Sequence, residues 1–339
     1  MQNGEFDTHA RVIKDALYAS DPDAVIGGRD HELLAEVNHL ARRAFAEGDA
    51  QAELQVHQTL YRINLACLAV PWQHPGLHPR HPFIAAVRHA LEVAWDRHDR
   101  ARHANTLTHL PDIGTFRDWV CSIVQSHSSN VSHPLFPFLR DQATYQQLRR
   151  FVMQETPLEV FFGDVLTLML PGVYGPMKVE LCKNFWDEMG HAEETRMHRV
   201  LRLDLMAALD IPADHYLTHI TEYYIEELRL INMYFDTVHN RGKLLQSIGI
   251  MLATEFMIPG RLACQIAGWR RVGMSEDPLA YLIEHTTVDV EHADGWMNQV
   301  VMPLLHDHPA AMSDMVLGVL RRLDNAGAVC DRFYKEFAA

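Results

Sequence analysis

Leu282-Ile-Glu-His285-Thr-Thr-Val-Asp289-Val-Glu-His292-Ala-Asp294 is the stretch on which the reading of this chain turns. His285, Asp289 and His292 stand at i, i+4 and i+7, so on a helix the three side chains leave from one face within two turns. Two imidazoles and a carboxylate converging from one face suit a first-row transition metal, and Fe(II) in particular. A chain of 339 residues with 22 histidines also produces such spacings by accident. The reading therefore depends on partners elsewhere in the chain.

Those partners are carboxylates set among apolar residues. Ala253-Thr-Glu255-Phe-Met-Ile-Pro259 puts an acid inside an apolar helical stretch, where an ionised carboxylate is costly unless it meets a cation. Asn184-Phe-Trp-Asp187-Glu188-Met-Gly190-His191 leads to His198, ten residues after Glu188. Ten residues turn a helix by about 1000°, so the two can line one broad face if Gly190 loosens the winding. Phe151-Val-Met-Gln-Glu155-Thr-Pro-Leu-Glu159 again sets acids among apolar residues. Glu159 also reads as the end of a capping box, Thr156-Pro-Leu-Glu159, with Pro at the first helical position. Asp187, His191, Glu193, Glu194, Glu284, Glu291 and Asp294 read as solvated residues or as partners that orient ligands.

Glu155, Glu188, Glu255 and Asp289 make four carboxylates, and His198, His285 and His292 three imidazoles. Four negative charges balance two divalent cations. A thiolate-free, carboxylate-rich set projecting from helices is the pattern of di-iron carboxylate bundles. Zinc sites take fewer carboxylates and calcium sites no imidazole.

The remainder of the chain agrees with a helical protein. Apolar residues recur with the 3.6-residue period, and alternating strand patterns are scarce. Two helices are expected within 30–70, the first capped near Asp30, and another over 83–102. Longer ones follow near 141–169, 174–208, 214–239, 243–270, 277–303 and 309–337. The polar run Ser126-His-Ser-Ser-Asn-Val-Ser132 suggests a boundary between an N-terminal helical segment, 1–128, and a metal-binding domain, 129–339. Nucleotide and flavin fingerprints do not occur. A net charge of -14 disfavours nucleic acid. Five scattered cysteines without a CxxC argue for a reducing cytosol. The acidic N-terminus is unlike a signal peptide, and no run of about 18 apolar residues is evident. These readings predict a cytoplasmic protein with no membrane partner.

The residues resemble the haem-oxygenase-like di-iron oxidases and oxygenases. The likeness spans roughly 130–305. It rests on His133-Pro-Leu, Gln154-Glu155, Gly175-x2-Lys178, Asn184-Phe-Trp-Asp187-Glu188-Met-Gly, His198, Ala253-Thr-Glu255 with Pro259, and the His285, Asp289, His292 triad. It implies an all-α, haem-oxygenase-like bundle holding two Fe(II)/Fe(III) ions, with Glu155, His198, Glu255, His285, Asp289 and His292 as ligands. Glu159 stays open as the alternative to Glu155. Members that oxygenate amine nitrogen carry an extra carboxylate ten residues before the mid-chain His, here Glu188. One departure from the family pattern is His191, where a small or amide residue is expected.

The resemblance therefore implies O2-dependent N-oxygenation of a small amine or amino acid in a natural-product pathway, through a peroxo-diferric intermediate. An external electron donor would supply reducing equivalents, and the N-terminal helical extension would support a homodimer. The rival enzyme reading is oxidative C–C cleavage, decarboxylation or desaturation of an amino or fatty acid at the same cofactor. A third reading, from another class, is a metal-storing or purely structural bundle.

Overall fold

The computed structural model describes residues 8–339 apart from Pro75; the side chains of Thr8, His9 and Thr287–Val290 lie outside that description. Every regular element among the described residues is helical, as the 3.6-residue period requires. Contacts group residues 1–104 with 220–232, and residues 105–219 with 233–339. The division after Ala104 falls earlier in the chain than the polar run at 126–132.

In the first unit the Asp30–Phe45 helix packs against Ala50–Leu68 and Pro82–Arg102. Leu33, Val37, Leu40, Val56, Leu60, Ile63, Val87, Leu91 and Trp95 fill the space between them. Asp49 caps the second helix by accepting from the amides of Gln51 and Ala52. Asp30 is not a cap: it is the first helical residue, preceded by Arg29, which makes no side-chain cap bond. The later segment 220–232 joins this unit through buried amides. Asn64 Nδ2 donates to Asn232 Oδ1 at 3.0 Å, and Asn232 Nδ2 donates to the His57 carbonyl at 2.8 Å.

The second unit is organised around the 28-residue helix Leu244–Arg271. It packs against Met312–Phe337, Ala280–Gly295 and Leu135–Asp141. Gly249 lies against the Met315 carbonyl and Gly318 against the Gln246 carbonyl, so neither position has room for a Cβ. These two contacts let the two longest helices cross closely. Among the described residues one helical segment, Arg241–Arg271, is long and apolar enough to cross a membrane by length and composition. Most of its apolar window, 72%, is buried inside the unit. Trp269 and Trp296 are fully enclosed here, and burial of a large apolar side chain contributes roughly 1.5–3 kcal/mol.

Several expected helices are shorter than their apolar period suggests. The 141–169 span divides into Tyr145–Glu159 and Phe162–Met169. Pro157 sits inside the first of these rather than at a helix start. The capping box read at Thr156–Glu159 is therefore absent: the Thr156 hydroxyl instead donates to the Val152 carbonyl within the helix. The 277–303 span becomes Ala280–Gly295 followed by a π-helix, Trp296–Val301. The 214–239 span reduces to Ile225–His239 after short turns.

Candidate metal centre

The expected 174–208 helix ends early, and the break builds the site. Gly175–Glu188 is helical, and three consecutive residues then take left-handed backbone: Gly190 (φ 56°), His191 (φ 56°) and Ala192 (φ 68°). A Cβ at Gly190 would strike the Arg196 carbonyl and the Met197 amide, so the returning chain presses on this turn. A new helix starts at His198 and runs to Ala208. Glu188 and His198 therefore do not share a helical face. They meet because the chain doubles back, leaving His198 Nδ1 3.0 Å from Glu188 Oε1. Nothing in the 3.6-residue period announces such a turn, and Ala in particular is a poor left-handed residue.

The Ala280–Gly295 helix contributes the imidazoles. His285 Nδ1 donates to the Tyr281 carbonyl at 2.8 Å, so in the neutral ring Nε2 carries the lone pair. That nitrogen lies 3.7 Å from Glu188 Oε1. The rings of His198 and His285 are 4.4 Å apart. Ligand atoms of Glu188, His198 and His285 all lie within 4.8 Å of one another, and the three residues are buried. One helical turn beyond Asp289, His292 Nε2 donates to Asp187 Oδ2 at 2.9 Å, which turns Nδ1 towards Glu255 Oε2 at 3.6 Å. The Asp289 side chain falls outside the described residues.

These donors fit a cation. His198 Nδ1 is buried and close to Glu188 yet makes no hydrogen bond of acceptable geometry. Neutral His285 Nε2 and His292 Nδ1 each turn a lone pair towards a carboxylate. Acceptors facing acceptors in a buried site are unfavourable unless a positive centre lies among them. Burial pushes the Glu188 carboxyl up, but His198 and His285, when protonated, outweigh it by their charge and hydrogen bonds and hold it at about 2. Glu188 is thus an anion ready to ligate. Imidazole with carboxylate and no thiolate is a donor set for iron.

The first-helix acids have partners of their own beside this cluster. Glu155 Oε1 accepts from Gln265 Nε2 at 3.2 Å, and its other oxygen lies 4.0 Å from the Arg202 guanidinium. Burial dominates its titration and, with Glu159 adding repulsion against the opposing Arg202, raises it to about 7. Glu159 accepts the Tyr281 hydroxyl. Neither acid is part of the Glu188, His198, His285 group whose ligand atoms lie within 4.8 Å of one another.

Sequence reasoning missed Tyr281, Arg202 and Gln265. Tyr281 stands four residues before His285, so extending the ligand stripe by one turn would have found it. Arg202, four residues after His198, is fully buried with its guanidinium 5.5 Å from the Tyr281 ring centre. Gln265 had no visible signal. Asp187 and Glu284 emerge as partners of ligands: Asp187 holds His292, and Glu284 Oε2 lies 3.5 Å from His198 Nε2. His191 Nε2 donates to the second Asp187 oxygen at 2.7 Å.

A family model described as iron-containing redox enzymes matches residues 149–327, more than half of the chain. The chain belongs to that family. The match spans every candidate ligand from Glu155 to His292. No curated protein matches the sequence. Solved structures similar to it include a domain of unknown function with a heme oxygenase-like fold from Shewanella denitrificans OS217. That one is 16% identical, covers 67% of this chain and 94% of its own, and has a TM-score of 0.50. A CADD-like protein of unknown function from Nostoc punctiforme PCC 73102 is 13% identical, covering 67% and 99% with a TM-score of 0.53. A TenA homolog from Pseudomonas syringae pv. tomato DC3000 is 16% identical, covering 68% and 95% with a TM-score of 0.52. At these identities the likeness establishes the fold, an all-α haem-oxygenase-like bundle, and carries no activity with it.

Proposed function

We propose that this iron-containing redox enzyme is a di-iron N-oxygenase that uses O2 to oxidise the nitrogen of a small amine or amino acid. The observation that supports this most is Glu188, a buried anion set between His198 and His285. Glu188, His198 and His285 would hold one ion; Glu255 and His292, with Asp289, would hold the other. Bound iron supplies the redox chemistry with O2.

The chain's own residues supply geometry and protection. The Tyr281 carbonyl fixes the His285 tautomer, and Asp187 fixes that of His292, so the ligating nitrogens are set before any metal arrives. Glu188 would add a negative charge that offsets a rise in the charge of bound metal. Burial of Glu188, His198, Glu255, His285 and His292 keeps bulk water from the oxidant. The substrate must enter as a neutral amine, because only an unprotonated nitrogen has the lone pair that attacks an electrophilic oxygen.

The test is to supply Fe(II)-loaded protein with isotopically labelled O2, a chemical reductant and a panel of amines, followed by mass spectrometry. One labelled oxygen on nitrogen supports the reading. Loss of a carbon fragment or of hydrogen atoms assigns oxidative cleavage or desaturation instead. Iron uptake without any product assigns a storage bundle.

A further inference from the structure

The acids of the Gly175–Glu188 helix are buried or half-buried. Glu180 and Glu188 are buried, and Asp187 is bonded to two histidines. Its solvent face carries Val179 (58% exposed), Cys182, Lys183 and Trp186 (52% exposed), with Lys178 beside them. In a chain of net charge -14, this face has apolar residues and two lysines and no fully exposed acid. Lys183 is partly offset by Glu180, whose Oε2 accepts from it at 3.1 Å.

Trp186 is also the outer end of a continuous set of contacts leading inwards. Its ring stacks on His191, with centres 6.1 Å apart and planes 19° apart. His191 Nε2 donates to Asp187 Oδ1 at 2.7 Å, and Asp187 Oδ2 accepts from His292 Nε2 at 2.9 Å. His292 then turns Nδ1 towards Glu255. The turn that brings His191 under Trp186 is held in left-handed backbone at two successive non-glycine residues, a strain that the surrounding structure must offset.

From these contacts we infer that the Trp186 face is the docking and electron-entry surface for a small acidic one-electron carrier protein. The inference rests on the reading that His292 ligates iron at a redox centre. An acidic partner fits the lysines and is steered to them in a salt-dependent way, while Val179 and Trp186 supply the dry centre of a transient interface. Each carrier molecule docks, loses one electron and is oxidised. Bound iron would accept that electron, one Fe(III) becoming Fe(II), with Trp186, His191, Asp187 and His292 as the contacts that lead to it from the surface. No bond is broken, and two such events reduce two ions.

Full-length protein, loaded with iron and oxidised, is mixed anaerobically with reduced plant-type [2Fe–2S] ferredoxin, without amine. Rates are compared with those for methyl viologen radical, which needs no docking face. Trp186→Ala should slow reduction by ferredoxin at least tenfold and leave the viologen rate within twofold. The double substitution Lys178→Glu, Lys183→Glu should weaken ferredoxin binding to the metal-free protein at least tenfold, measured by calorimetry at low salt. Binding and reduction that ignore these substitutions, or ferredoxin that neither binds nor reduces the protein, would overturn the inference. Because no amine or O2 is present, failure of N-oxygenation would not alter these rates. Normal N-oxygenated product with a Trp186-insensitive reduction would sink this inference alone.

Discussion

Asp187 bridges two histidines, accepting from His191 Nε2 at 2.7 Å through one oxygen and from His292 Nε2 at 2.9 Å through the other. The carboxylate therefore decides which His292 nitrogen faces Glu255. Asp187→Asn keeps the shape but can present an amide N–H to Nε2, which favours the tautomer with its proton on Nδ1. Loss of such a supporting carboxylate typically costs about 10–100-fold in metal affinity or activity. Anaerobic Fe(II) titration should show a drop of that size in Asp187→Asn. Unchanged affinity would mean that Asp187 only ties the turn together.

His292 and His191 touch the same carboxylate from opposite sides, yet their removal should differ. His292→Ala takes an imidazole from the centre and should leave about one iron fewer per chain and no turnover. His191→Ala removes a partly exposed ring that reaches the centre only through Asp187, and should retain both irons. Metal analysis of the two purified variants checks this. Equal loss in both would place His191 among the ligands.

Residues on one helix were legible in the sequence, and residues joined by a turn were not. His285 and His292 could be read as a pair because a single helix fixes their spacing. Glu188 and His198 were correctly paired but for the wrong geometry. The helix between them was expected to continue, whereas three left-handed residues reverse the chain and produce a 3.0 Å approach. Tyr281 went unread because its phenol and its carbonyl act on different partners, Glu159 and His285, and only the carbonyl contact is local. Arg202 went unread because a buried cation draws its meaning from Glu155, 47 positions earlier in the chain. The return of 220–232 to the first unit depends on the amide pair Asn64 and Asn232, which carries no period at all.

Glu155 gives the metal-free protein a pH dependence of definite sign. Burial first, with Glu159 adding to it, raises its carboxyl from 4.5 in the unfolded chain to about 7 in the folded one. The folded state therefore binds more protons between those values, and stability falls as pH rises through that window. Denaturant unfolding of metal-free protein at pH 5 and pH 7.5 should show this decline. Glu155→Gln, neutral throughout, should flatten it. A variant with the same slope as the parent would assign the effect to other groups.

Glu188 carries the preference for N-oxygenation, and two substitutions separate its charge from its volume. Its carboxylate sits between His198 Nδ1 and His285 Nε2, at 3.0 and 3.7 Å. Glu188→Gln keeps the side-chain volume and removes the charge; Glu188→Ala removes both and leaves a buried gap beside two imidazoles. Both should still fold, since Glu188 is the last residue of its helix rather than part of its apolar core. Both should bind iron more weakly, through the remaining ligands. Their decisive property is coupling: O2 should still be consumed with reductant present, but without N-oxygenated product, because the oxidised centre lacks one compensating anion. A carboxylate that merely ended the helix would leave product yield untouched and cost about 1 kcal/mol or less in stability. Oxygen-electrode traces paired with product mass spectra distinguish the two. Full product yield from Glu188→Gln would remove the main reason for choosing N-oxygenation over oxidative cleavage at the same centre.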